Sequence, residues 1–135
     1  MTTDSKAYHA AQAYRSASIA VPPLKAVVML FDGAILNLRK SVAASQAKRF
    51  EESHNCLVRT TTILRGLSQH LNFEKGGLVA DRLFSTYNAL IVAALKSFGR
   101  PDAPALYDRI IASLTELRDA WAYVAATTSD RTPKS

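Results

Sequence analysis

Four stretches in which apolar residues recur at steps of three and four, each closed by a short polar or glycine-containing corner, constrain this chain more than any other feature. In the first, from about Pro23 to Ala44, the stripe is Leu24, Val27, Leu30 or Phe31, Ala34 or Ile35, and Leu38. Pro22 and Pro23 mark its start, Pro23 being suited to a first helical turn. A polar corner at Ser45 to Arg49 ends it. The second carries Leu57, Thr60, Leu64, Leu67 and Leu71 as its inward seam, and Asn72 with Gly76-Gly77 supplies a stop and turn tolerant of left-handed backbone. The third places Leu83, Tyr87, Leu90, Ala94 and Phe98 on one side and ends at Gly99-Arg100-Pro101. Asp102 suits the N-cap of the fourth, whose register is Leu106, Ile110, Leu114, Leu117, Trp121 and Val124.

No segment alternates as a strand does. Helices of roughly 20–25 residues are on the order of 30–35 Å long. Short corners between such helices make neighbours antiparallel. The expected fold is all-α: an antiparallel up-down four-helix bundle with a short N-terminal helix or arm. Residues 1–20 form that arm, 21–127 the bundle, and 128–135 a polar, flexible tail.

A chain of 135 residues, 48% of them apolar, fits one domain with a real core. No unbroken run approaches the eighteen or so apolar residues of a membrane span, and the first twenty residues, with Asp4, Lys6 and Arg15, do not read as a secretory signal. The single cysteine, Cys56, has no internal disulfide partner, which suits a reducing compartment. The expectation is a cytoplasmic protein without membrane insertion. The net charge of +6 is spread along the chain, densest where Arg39 and Lys40 approach Lys48 and Arg49. Such a patch can neutralise phosphates. It can equally complement a helix C-terminus, with Glu51 and Glu52 opening the next helix, and no aromatic platform or recognition motif accompanies it.

The first long helix has more apolar surface than one core needs. Ala26, Val28 and Met29 cover directions where a surface helix carries Lys or Glu, so something besides the helix's own core must cover a second face. Gly33 sits in the same stretch. A helical glycine costs about 1 kcal/mol relative to alanine, and close approach of another backbone, from a bundle neighbour or from a bound segment, would explain it.

Catalytic chemistry is hard to find. A di-iron bundle needs paired Glu-x-x-His motifs and further inward Glu residues; Glu51-x-x-His54 spells one such motif and no second follows. His9, His54 and His70 lack ligand spacing. Cys56 reads as a small buried residue, and His54, two positions away, faces elsewhere on a helix. No phosphate-binding glycine loop, dinucleotide fingerprint or serine elbow occurs. The chain reads as a non-enzyme with no cofactor and no metal.

The order Tyr14, Pro23 and Met29-Leu30-Phe31-Asp32-Gly33-Ala34 resembles the opening of the flagellin export chaperones, the FliS family. Ile63-Leu64-x-x-Leu67 with Leu71, Gly76-Gly77, Leu83-x-x-x-Tyr87 and Leu114-x-x-Leu117-Arg118-Asp119-Ala120-Trp121 follow in the family's order, so the resemblance spans about Tyr8 to Val124. Ala20-Val21-Pro22 stands where the family has Thr-Ala-Ser, and Phe31 where a Tyr is common. The resemblance implies a cytoplasmic chaperone. It would bind the disordered C-terminal segment of flagellin, keep it from polymerising early and help deliver it to the flagellar type III export gate. Leu24, Val27, Val28, Met29 and Phe31 are the client-contact candidates of the first helix, each also readable as bundle core. Tyr8, Tyr14 and Ile19 of the arm are expected to cover part of the apolar surface when no client is bound. A monomer or a homodimer fits. A nucleic-acid-binding regulator and a self-associating structural bundle are the competing classes, both lacking the ordered motifs.

Overall fold

A computed structural model describes residues 24–131 as four helices: α1 (Leu24–Gln46), α2 (Phe50–Gln69), α3 (Phe73–Ser97) and α4 (Ala103–Arg131). Pro22, Pro23 and the arm precede the described residues. The last helix is described through Arg131, and residues 132–135 of the expected tail lie outside the described residues.

Helix α1 packs against α2 and α4, and α3 closes the ring by packing against the same two neighbours. The α1–α2 pair is antiparallel, since Ala34 accepts from Thr60 while Ser41 pairs with Ser53. Helices α1 and α3 stand diagonally and meet through Phe31 and Tyr87, whose ring centroids are 6.0 Å apart. The core contains most of the seams read from the periodicity: Leu57, Thr60, Leu64 and Leu67 of α2, Leu71 just beyond its end, Tyr87 and Ala94 of α3, and Ile110, Leu114, Trp121 and Val124 of α4 are all buried, whereas Leu106 is only half-buried. Leu83, Leu90, Phe98 and Leu117 pack partly buried against them.

Buried hydroxyls in this core are satisfied across the α1–α2 seam. Ser41 Oγ donates to the Ser53 carbonyl at 2.8 Å and Ser53 Oγ donates to the Ser41 carbonyl at 2.7 Å, while Thr60 Oγ1 donates to the Ala34 carbonyl at 2.9 Å. A buried hydroxyl without a partner would cost roughly 1–3 kcal/mol. Thr61, Ser68 and Ser97, also buried, donate instead to carbonyls of their own helices, at Val58, Arg65 and Ala93. Small serines also let the two helices come close.

The corners differ from the sequence expectation in three places. The α2–α3 turn is made by residues 70–72, not by the glycine pair. Asn72 is the N-cap of α3, its Oδ1 accepting from the Lys75 backbone N–H at 2.9 Å. Gly77 instead breaks α3 near its start, at φ 52° and ψ −131°, a conformation that residues with a Cβ avoid. Asp102 stands at the expected boundary of α4, but its carboxylate accepts from Arg100 Nε at 3.2 Å rather than capping the helix. Arg39 and Lys40 do not lie in the last turn of α1, which holds no basic residue, so they do not serve that helix end. Glu51 and Glu52 do occupy the first turn of α2.

Candidate partner-binding surfaces

The client-contact candidates on α1 divide sharply. Val27 and Phe31 are 0% exposed and Leu24 is buried with them, so these three belong to the core. Val28 is half-buried against the core, and Met29 is 70% exposed. Tyr8, Tyr14 and Ile19 lie outside the described residues. Gly33 is half-buried, and a Cβ built there would meet only Ile63 Cδ1 at 3.5 Å, an ordinary contact. The bundle therefore does not require glycine at that position.

A further uncovered apolar surface, carrying none of the candidates predicted from the sequence, is on α3. From Leu83 to Leu95 the helix contains no charged residue on any face. Tyr87, Ile91 and Ala94 turn inward, whereas Phe84, Val92 and Leu95 are 42%, 47% and 41% exposed, and Leu78 is 63% exposed. Phe84, Val92 and Leu95 recur at steps of eight and three, which keeps them on one side of a helix. Phe84, Ser85, Asn88, Ala89, Val92 and Ala93 line an open depression along that side. By length and composition alone α3 could cross a membrane, although no unbroken apolar run of that length exists; only 22% of its most apolar window is buried.

The break at Gly77 enlarges this surface. In a straight helix Phe73 and Phe84 would be separated by about 16 Å along the axis. Their ring centroids are 5.4 Å apart, edge to face, because the first turn folds back onto the helix. Phe73 thereby joins Phe84 at one end of the apolar face. The signal that could have exposed the site in sequence was the absence of charge from Leu83 to Leu95, a stronger anomaly than that of α1, which carries Lys25, Asp32, Arg39 and Lys40.

Among the described residues two ionisable groups are shifted from their ordinary values. Tyr107, whose hydroxyl donates to the Ala94 carbonyl at 3.2 Å, has its pKa pushed up to about 12 by burial. Arg118 is raised from its ordinary value by its hydrogen bond to Asp32, with a further contribution from Asp119. Cys56 is a buried free thiol. Among the described residues no group of three or more His, Cys, Asp or Glu side chains is placed to hold a metal ion.

Among the described residues the bundle's most evident surface features are long apolar faces on α3 and α1. The family comparison places the chain: residues 6–128 match the model of flagellar protein FliS, and the chain belongs to that family. The family is one of flagellar export chaperones for flagellin and is not an enzyme family. No curated protein and no solved structure matches the chain.

Proposed function

We propose that this protein binds the disordered C-terminal segment of flagellin in the cytoplasm, prevents its premature polymerisation and aids its delivery to the flagellar type III export apparatus. The observation that carries the reading is the uncharged, uncovered face of α3 in a chain of this family. A flagellin tail presents helix-forming apolar residues that lack a partner until the filament assembles. Such a helix seats its i, i+3, i+4 and i+7 side chains against an apolar face. Each Leu-sized anchor contributes roughly 1.5–3 kcal/mol, and ordering the tail costs roughly 2–5 kcal/mol. Several anchors are therefore needed, and the tail wraps along the bundle instead of touching one point.

Val28 and Met29 extend the contact onto α1, while Leu24, Val27 and Phe31 support it from the core. The arm, with Tyr8, Tyr14 and Ile19, covers apolar surface in the absence of client. Calorimetry with a synthetic flagellin C-terminal peptide tests the reading. The expected result is binding that Val92→Glu weakens without loss of helicity. No heat and no complex with the intact chain would overturn it. Deleting residues 1–18 should raise dye binding and change tail affinity; no change in either removes the covering role of the arm.

A further inference from the structure

A second uncovered surface runs along α1, on the helix diagonally opposite α3. Met29 and Leu36 stand outward on it, 70% and 52% exposed. They are seven residues apart, about 10 Å along the axis. Between them lies half-buried Gly33, whose carbonyl accepts from Asn37 Nδ2 at 2.9 Å. Cations frame the pair: exposed Lys25 lies one turn before Met29, exposed Arg39 and Lys40 one turn after Leu36, and Arg59 of α2 shares a depression with Lys40.

Carboxylates only partly balance these cations. Asp32, the acidic residue of this ridge, accepts from Arg118 Nε at 2.8 Å, and Arg118 also reaches Asp119. Glu51 and Glu52 line the same depression, where Glu52 pairs with Arg49 at 2.9 Å, which leaves Glu51 against Lys40 and Arg59 there. Among the described residues Lys25, Arg39, Lys40 and Arg59 enter no ion pair. None of these cations sits in the last turn of α1, so that helix end does not explain them.

We propose that the outer ridge of α1 docks a second protein through an acidic amphipathic helix. Two of its apolar side chains pack on Met29 and Leu36, and flanking carboxylates face Lys25, Arg39, Lys40 and Arg59. Aliphatic anchors of this kind favour a protein over a nucleic acid, whose phosphates need only the cations. The ridge and the α3 face lie on diagonal helices, which meet in the core through Phe31 and Tyr87 while their outward faces carry different side chains. The two partners would then occupy separate surfaces, a point that rests on the flagellin reading.

The test uses the full chain and a synthetic helical peptide about five turns long, with leucines seven residues apart flanked by glutamates. In fluorescence anisotropy the peptide should bind, weaken with added salt, and lose about tenfold or more in affinity on Leu36→Asn or Lys40→Glu. Val92→Asn, on α3, should leave it unchanged, as should saturating flagellin-tail peptide. Circular dichroism of each variant should match the parent. Equal binding of a peptide with lysines in place of the glutamates, or indifference to Leu36→Asn, overturns the proposal. So does tighter binding of a random oligonucleotide to the same residues, competition with the tail peptide, or a dimer that Leu36→Asn dissolves. If the tail peptide fails to bind while the acidic peptide behaves as expected, the flagellin reading falls and the ridge stands.

Discussion

Helices α1 and α3 are both unusually apolar, yet they spend that character in opposite ways. In α1 most of the apolar run is absorbed: Val27, Phe31, Ala34 and Leu38 are wholly buried, and α1 packs on α2 and α4. Its outer ridge keeps Met29 and Leu36, framed by charged residues. In α3 the buried positions are few and mostly small or polar at the ends, Gly76, Ala80, Ala94 and Ser97, and the outward positions are Phe84, Val92 and Leu95. Composition alone does not separate a helix that needs a core from one that lacks a cover. The distribution of charge around each helix does.

The contrast is broken most forcefully with phenylalanine. Phe31→Ala empties a fully buried site facing Tyr87 and should destabilise the protein by about 3–5 kcal/mol. Phe84→Ala removes a side chain already 42% exposed. Its stability cost should be about 1 kcal/mol or less, by the smaller area involved, while its effect on tail binding should be the greater of the two. Urea titration and calorimetry on both variants measure this; similar stability losses would mean that α3 is as embedded as α1.

Alkaline pH probes how α3 is attached. Tyr107 of α4 donates to the Ala94 carbonyl of α3, and burial raises its pKa from 10 to about 12. The folded state therefore holds this proton more tightly than the unfolded chain. Below pH 10 both states keep it and stability is independent of this group. Between pH 10 and 12 the unfolded chain ionises first, so stability falls by about 1.4 kcal/mol per pH unit, a loss of about 2–3 kcal/mol in all. In Tyr107→Phe that decline should be absent, and stability at neutral pH should drop by about 1 kcal/mol for the lost hydrogen bond. Equal alkaline slopes in the two proteins would rule this out.

Much of the bundle was legible in the sequence because burial on one side of a helix imposes a period, and Leu57, Leu64, Ile110, Leu114 and Trp121 obey it. The sides of α1 were less legible. Val27 and Val28 are chemically identical neighbours 100° apart, and only the placement of the neighbouring helices determines that one is enclosed and the other half-covered. The face of α3 is marked in the sequence by an absence of charge from Leu83 to Leu95, but the inward seam of Leu83, Tyr87, Leu90 and Ala94 shares that uncharged stretch, so periodicity alone does not separate the two sides. Gly76-Gly77 was misplaced because a glycine pair serves a helix stop and a kinked helix start equally well. The Asn72 cap, fixed by its bond to Lys75, separates the two.

Gly77→Ala sharpens the comparison from the α3 side. At φ 52° a side chain is strained whatever space surrounds it, and the expected cost is about 1–3 kcal/mol. Relief of that strain straightens the first turn and parts Phe73 from Phe84. Loss of the ring-stacking signal from these two phenylalanines, by NMR, should accompany weaker tail binding. An unchanged Phe73–Phe84 contact would show that the fold-back does not depend on the glycine.

Gly33→Ala is the counterpart on α1, with the smallest and oppositely signed effect. The backbone at Gly33 is helical, and a new Cβ meets only the end of the Ile63 side chain at 3.5 Å, a distance ordinary contacts tolerate. Nothing in the fold opposes the substitution, while the gain in helix propensity is about 1 kcal/mol. The variant should therefore unfold at slightly higher urea than the parent. If stability falls instead, Ile63 cannot yield and the α1–α2 seam is tighter than its geometry implies. If stability rises while affinity for the acidic helical peptide drops, the glycine serves approach from outside the bundle rather than packing within it. The two glycines then act in parallel, Gly77 shaping the face of α3 and Gly33 leaving the ridge of α1 open.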